Sequence, residues 1–321
     1  MKAAADDRTG QRAKFWPTAP VWFRHRVGRV RHLGIAVPDS ERATIRRFVD
    51  LGPRDPIEAL ARGELTAECL AARAEAGAEM ASEPVYDLPV DRPGKILCLG
   101  KNFAAHAAEF GHAVPEEPIV FTKLVDTLLP HGATIQLPPW VRSRIDHELE
   151  LAVLVGTDHA APGDHRDGYR DLSVESAPRI VAGYTVFNDV TARTIQGEDR
   201  QAQRPWLRSK SYDTFGPLGP FVVPTGSIDP NAGLDMELSV NGELRQQANT
   251  SQMVVSIAAA IAWLSNHTTL RPGDLIAMGT PAGVSPLAEG DEVIASIEGI
   301  GRLRNDVQRR PLPGDSESRE A

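Results

Sequence analysis

The rhythm of apolar and polar positions changes near residue 90. Before it, short apolar runs such as HLGIAVP (32–38) precede Ala/Glu/Arg-rich stretches such as ELTAECLAARAEAGAEM (64–80). Alanine and leucine favour helix in the latter, and Thr66 is a fitting N-cap. The Pro-containing segment EPVYDLPVDRPGK (83–95) reads as a linker. Beyond it, Val/Ile-rich runs alternate with Gly/Pro/Asp turns, the pattern of strands. KILCLG (95–100), HELELAVLVG (147–156) and RIVAGYTVFND (179–189) are the clearest of these. MELSV and ELRQQ flank Asn241-Gly242, a strong hairpin signal, and EVIASIEGIGRLRNDV predicts a second hairpin around Glu298-Gly299. Val254, Ile257, Ile261 and Leu264 recur at helical spacing and predict a helix over 251–264, capped by Thr250 or Ser251. The pattern therefore predicts a flexible tail (1–20), a small N-terminal domain (21–90), a β-rich α+β domain (91–308) and a disordered tail (309–321).

Composition narrows the classes of function. The chain has 321 residues, 41% of them hydrophobic and 24% charged, with 35 Lys+Arg against 43 Asp+Glu and a net charge of −8. That is ordinary for a globular protein with a substantial core. A pI near 5.6 disfavours broad electrostatic binding of nucleic acid. No apolar run reaches the roughly 18 residues of a membrane-spanning helix. Two cysteines, Cys69 and Cys98, make neither a disulfide framework nor a thiolate zinc site and suit a reducing compartment. The early arginines are accompanied by Asp6 and Asp7, unlike a mitochondrial presequence, and no secretory core is present, so a cytoplasmic location is expected. Lysine is rare (Lys2, Lys14, Lys95, Lys101, Lys123 and Lys210), so each one stands out.

Five groups of residues carry candidate chemistry. Along the strand predicted from His147, alternation puts Leu149, Leu151, Val153 and Val155 on one face and Glu148 and Glu150 on the other, about 7 Å apart. Two like charges repel unless a cation lies near them, and Mg²⁺ or Mn²⁺ prefers oxygen ligands. The competing reading is a half-exposed strand with both glutamates in water, and it outweighs a metal site on this evidence alone. Asp189 ends an apolar strand and is either a third ligand or the cap of the following helical segment. Lys210, entering an aromatic and Gly/Pro-rich region, either stabilises an oxyanion or is an exposed lysine. His106 and Glu109, three apart, share a helix face as a water-activating dyad or as a surface pair. Gly100, between an apolar run and this helix, suits a lid or active-site loop. The stretch Gly279-Thr280-Pro281-Ala282-Gly283 offers backbone N–H groups and a hydroxyl to a carboxylate, or is a plain loop.

Taken in order, the motifs GKILCLGKNFAAHAAE, HELELAVLVG, GYTVFNDVTARTIQ, PWLRSKSYDTFGPLGP, VNGELRQ and GDLIAMGTPAGV make residues 94 to about 307 resemble the fumarylacetoacetate hydrolase superfamily. The acylpyruvase branch is the most similar, and residues 21–90 more weakly resemble the small N-terminal domain of bacterial two-domain members. The resemblance implies a mixed β-roll catalytic domain with a smaller N-terminal α/β domain, commonly assembled as a homodimer. It implies Mg²⁺ or Mn²⁺ held by Glu148, Glu150 and Asp189, with Lys210 at the developing enolate. Arg193 and Gln196 would line the substrate pocket, Thr280 would bind the substrate carboxylate, and His106 and Glu109 would sit on a lid and activate water. Where the larger hydrolases of the superfamily carry an extra aspartate near the lid, this chain reads Lys101-Asn102, which implies water as the fourth ligand. Tyr212 stands where phenylalanine is frequent. The implied reaction is hydrolysis of the C–C bond of a 2,4-diketo acid to pyruvate and a carboxylic acid. The alternative is decarboxylation, hydration or isomerisation of a related 2-oxo acid such as oxaloacetate or a 2-hydroxydienoate. Trp206 and residues 111–117 are the candidates for shaping the substituent pocket. Neither a nucleic-acid partner nor a membrane is implied.

Overall fold

The strand Leu149–Val155 is buried along its whole length. Leu149, Leu151, Val153 and Val155 enter one apolar cluster, while Ala152 and Leu154 enter a second on the opposite face. The half-exposed reading of this strand is thereby excluded. It pairs antiparallel with Val181–Asn188 on one side and Leu275–Ala277 on the other. Leu275–Ala277 runs parallel to Ile96–Gly100, which pairs antiparallel with Ile119–Lys123. In the other direction the sheet continues through Phe221–Pro224 to Val21–Val27, Val30–Asp39 and Thr44–Gly52. The two parts of the chain therefore share one sheet, joined where Trp22 lies opposite Val222 and Phe23 opposite Phe221. The structure, a computed structural model, describes residues 14–39, 42–109, 111, 115–141, 143–158 and 167–312.

A second, five-stranded sheet runs Glu243–Asn249, Asp235–Val240, Glu292–Ile297, Gly301–Arg309 and Thr134–Leu137. Its inward residues Met236, Leu238, Ala295 and Ile297 join the cluster that holds Leu149 and Leu151. The helices Pro56–Ala61 and Ala67–Ala76 bring Leu60, Leu70 and Ala74 to the other face of the long sheet, beside Ala152 and Leu154. Burial of a leucine such as Leu70 contributes about 2 kcal/mol. These helices cover one end of the face that carries Glu148 and Glu150 and leave the other end for a cavity. The result is the expected β-rich α+β roll with a smaller N-terminal part.

Local signals are realised where local chemistry decides. Thr66 accepts the Cys69 N–H at 3.3 Å and starts its helix. Asn241 and Gly242 both take positive φ (52° and 78°), the left-handed pair that a two-residue hairpin turn requires. The helix expected over 251–264 is instead Ile257–His267, capped by Ser256. Thr250–Gln252 forms a separate 3-10 turn capped by Asn249. Val254 N–H and Val255 N–H go to the backbone and side-chain oxygens of Asn102, 2.8 and 2.7 Å away. A tertiary partner thus takes the backbone donors that a first helical turn would have left to a cap.

Both expected tails are partly anchored. Phe15 is buried and Lys14 pairs with Asp235 at 2.7 Å. Arg309 ends the strand Gly301–Arg309 and donates to the carbonyls of Pro138 and Val141. Residues 1–13 and 313–321 lie outside the described residues. In the segment read as a linker, Tyr86–Asp87 forms a short strand against Val21–Val27. Cys69 and Cys98 are not disulfide-bonded. Among the described residues no helix is long and apolar enough to cross a membrane.

Candidate active site

The carboxylates meet because of strand register. Leu149 lies opposite Asn188 at the end of an antiparallel pair, and Glu148 and Asp189 each extend one residue beyond it. Asp189 N–H donates to the Glu148 carbonyl at 2.8 Å, and Glu148 N–H donates to the Asn188 side chain at 2.9 Å. Glu150, two residues along the strand, shares the face of Glu148. Candidate ligand oxygens of Glu148, Glu150 and Asp189 all lie within 4.8 Å of one another, and all three residues are buried.

Each carboxylate has different company. Glu148 receives Lys210 at 2.8 Å and a guanidinium nitrogen of Arg193. Its carboxyl is held far below the usual range: burial opposes this, but the charges of Lys210 and Arg193 outweigh burial. Asp189 receives Lys210 and, at 2.6 Å, Lys123. Glu150 accepts the Gly279 N–H at 2.8 Å, and no lysine or arginine among the described residues forms an ion pair with it. Burial, then the Asp189 and Glu148 charges, push its carboxyl well above the usual range. A hard divalent cation beside Glu150 would offset that repulsion, and an all-oxygen donor set suits Mg²⁺ or Mn²⁺. The residues present therefore fit the metal.

Lys210 arrives on the short helix Leu207–Lys210, with its ammonium 4.7 Å from the centre of the Phe121 ring. Burial works against its charge, but Asp189 and Glu148 hold its pKa above the ordinary value. It is thus a fixed cation rather than a base. Arg193 starts the helix Arg193–Gln201 and donates to Asp146 at 2.9 Å and to Gln196 at 2.6 Å. The Thr280 hydroxyl accepts from Gln246 at 2.8 Å. The side-chain oxygen of Gln246 in turn faces His147 and takes the Leu149 N–H. Gly279 has φ +90°, and a Cβ there would lie 2.8 Å from Cβ of Asn102, so glycine is required where this loop passes Glu150.

His106 and Glu109 lie on the helix Ala104–Glu109, with Nδ1 of His106 3.2 Å from the Glu109 carboxylate. Burial lowers the His106 pKa despite nearby acids, so the imidazole is neutral at pH 7. Gly283 N–H donates to Glu109 at 3.3 Å, tying this helix to the Gly279–Gly283 loop. A cavity of about 230 Å³ is lined by His106, Glu148, Glu150, Arg193, Gln196, Lys210 and Thr280, with Trp206 and Phe121 as an aromatic wall. Glu109 stands behind His106 and Asp189 beneath the floor, so all nine residues singled out from the sequence gather here. Of the proposed loop 111–117, residues 112–114 lie outside the described residues, and the others do not line the cavity.

Sequence reasoning missed Lys123, Asp146 and Gln246 as supports of the site. Lys123 ends the strand Ile119–Lys123 and is wholly buried, with its ammonium on Asp189 and on the Val190 carbonyl at 3.2 Å. Its rarity as a lysine in an apolar run was the available signal. Asp146 is buried and grips Arg193. Gln246 lies within the VNGELRQ motif but was given no role.

A family model, fumarylacetoacetate (FAA) hydrolase C-terminal, matches residues 95–308. The mitochondrial oxaloacetate tautomerase FAHD2A of Homo sapiens is 36% identical over 315 residues, covering 92% of this chain and 95% of its own. The structure of fumarylpyruvate hydrolase from Pseudomonas aeruginosa, in complex with Mn²⁺ and pyruvate, aligns with a TM-score of 0.61 and 32% identity over 72% of this chain and 94% of that one. Maleylpyruvate hydrolase from Sphingobium sp. SYK-6, with manganese(II) and pyruvate, aligns at 0.72 and 27% over 91% and 100%.

Proposed function

The chain belongs to the fumarylacetoacetate hydrolase family, and from that premise we propose that it hydrolyses the C–C bond of an acylpyruvate-like 2,4-diketo acid, giving pyruvate and a carboxylic acid. The observation that carries this reading is that His106, backed by Glu109, faces the same cavity as Lys210, Glu148 and Glu150. Mg²⁺ or Mn²⁺ held by Glu148, Glu150 and Asp189 would supply Lewis acidity and a template for the 2-oxo acid. With Nδ1 directed at Glu109, His106 takes the water proton on Nε2 as the water oxygen bonds to C4. The C3–C4 bond breaks, its electron pair forms the pyruvate enolate, and a proton returned to C3 completes pyruvate. The Lys210 ammonium, immobile and charged, stabilises the enolate oxygen without reorganisation. Thr280, oriented by Gln246, binds the substrate carboxylate, and Arg193 and Gln196 line its approach. A homodimer goes with this reading, and light scattering on the purified chain tests it.

The test is the disappearance of acetylpyruvate enol absorbance, followed with EDTA, Mg²⁺ or Mn²⁺ in wild type and Glu148→Ala. Metal-dependent loss with pyruvate appearing in step, absent in the variant, supports the proposal. No loss in metal-loaded wild type overturns it.

One observation favours a second reading, tautomerisation or decarboxylation of a four-carbon 2-oxo dicarboxylate. Lys101 and Arg200 also line the cavity, and each is a cation suited to a distal carboxylate. Enolisation of oxaloacetate needs no attacking water, so His106→Ala would abolish hydrolysis and spare it. Lys101→Ala would then raise KM for oxaloacetate several-fold more than KM for acetylpyruvate.

A further inference from the structure

The N-terminal strands carry a second group of ligand-type side chains outside the cavity. His25 and His32 lie directly opposite each other on the antiparallel pair Val21–Val27 and Val30–Asp39, with ring centroids 5.5 Å apart. Asp50, on the adjoining strand Thr44–Gly52, reaches both rings. Its Oδ1 is 3.2 Å from His25 Nε2 and 3.0 Å from His32 Nδ1, and its Oδ2 is 2.9 Å from the latter. One ligand atom from each residue lies within 4.8 Å of the others.

We propose that His25, His32 and Asp50 form a separate divalent-metal site suited to Zn²⁺, which clamps the three N-terminal strands together. Four ligands about 2.0–2.1 Å from a tetrahedral Zn²⁺ stand roughly 3.3 Å from one another. The nitrogen–oxygen separations already fall within a few tenths of an ångström of that edge. Two imidazoles and one carboxylate suit zinc better than magnesium, which distinguishes this trio from the all-oxygen centre in the cavity.

The surroundings agree with this assignment. Among the described residues no lysine or arginine ion pair involves Asp50, whereas Glu148 and Asp189 both have cationic partners. The Gly52 N–H holds Oδ1 of Asp50 at 2.8 Å and so orients the carboxylate. Burial keeps His25 below its ordinary pKa, hence as the neutral, ligating imidazole at pH 7. Binding then asks that each of the two imidazoles move its proton to the other ring nitrogen. Asp50 is about one-third exposed at its side chain (36%), which leaves water access to a fourth position.

The experiment uses the full chain preloaded with Mg²⁺. Co²⁺ is titrated in and its visible bands recorded, and the midpoint of thermal unfolding is measured with and without Zn²⁺. Wild type is expected to bind one nitrogen-ligated Co²⁺ per chain and to melt several degrees higher with Zn²⁺. His32→Ala and Asp50→Asn should weaken Co²⁺ binding at least tenfold and lose the Zn²⁺ shift, while Glu148→Gln keeps both. Asp50→Asn preserves side-chain shape and covers the case in which His32→Ala folds poorly. Unchanged binding in His32→Ala and Asp50→Asn, or bands lost only in Glu148→Gln, would overturn the site and leave a hydrogen-bonded trio. Failure here leaves the 2-oxo acid reading untouched, because none of these three residues lines the cavity.

Discussion

On the short strand Tyr86–Asp87, the buried Asp87 receives Arg26 and Arg31 at 3.0 Å each, and both arginines are half exposed. Just past the central strand Val181–Asn188, Asp189 receives Lys123 and Lys210, and all three side chains are buried. The pattern is the same, one aspartate between two cations, but the solvent differs. Near the surface, water screens the charges and the pair contributes little. Inside, every charge has been taken out of water, and each needs its partner to remain there. The surface pairs pin the Tyr86–Asp87 segment to the N-terminal strands. The buried set holds carboxylates and ammonium groups in one geometry before any substrate arrives, as electrostatic catalysis requires.

The largest effect that would sharpen this contrast is on turnover. Glu148→Ala removes a carboxylate and leaves Lys210 and Arg193 short of a partner. The expected fall in kcat/KM on the active 2-oxo acid is roughly 10³-fold, with weaker Mn²⁺ binding by calorimetry. A fall under tenfold would break the comparison. Lys123→Met tests the same logic through stability, since Lys123 contacts the floor of the site and not its cavity. Urea unfolding should show a loss of about 3 kcal/mol, the cost of one abandoned charge inside.

An intermediate case is His131, whose Nδ1 accepts the Arg304 N–H at 3.2 Å beside the Tyr86 ring. Burial, aided by the Arg304 charge, lowers its pKa to about 4. The unfolded chain takes up this proton near pH 6.5 and the folded chain only near 4. Stability is therefore whole above pH 6.5 and declines as pH falls through that window. His131→Gln keeps an acceptor for the Arg304 N–H and should remove up to about 3 kcal/mol of the stability that wild type loses between pH 6.5 and 4. Measuring both proteins separates His131 from His25, His106 and His147, whose pKa values burial also lowers. The smallest effect belongs to the surface: Arg31→Ala should cost about 1 kcal/mol or less, diminishing further in high salt.

How much was legible follows the range of the interactions. Glu148 and Glu150 were found because strand alternation is a local rule. Alternation put Leu149 and Leu151 on one face and Glu148 and Glu150 on the other, but only the fold showed that the glutamate face is buried too. Thr66 and Asn241-Gly242 were legible for the same cause, since a cap or turn is settled within a few residues. His106 and Glu109 were placed on one helix face by spacing, but only the fold turned that face toward the cavity. Lys123 was read merely as one of six lysines, because its partner Asp189 is 66 residues away. The start of the helix Ile257–His267 was misplaced because Asn102, 153 residues from Val255, holds the preceding backbone.

The strands, the hairpins, the family motifs and the nine candidate side chains were all legible along the chain before any fold was known. The strands and hairpins depend on periodicity and turn chemistry, which neighbours along the chain decide, and the full set of nine, Arg193 and Gln196 included, depends on the resemblance of the ordered motifs to a family. Only packing of remote segments left Glu150, among the described residues, without a lysine or arginine ion pair while Asp189 has two, set Gln246 to orient Thr280, and ran one sheet through both parts of the chain. Those outcomes are distances between residues remote in sequence, and burial fixes their energetic weight: a charge costs little in water and several kcal/mol inside a fold that supplies no partner for it.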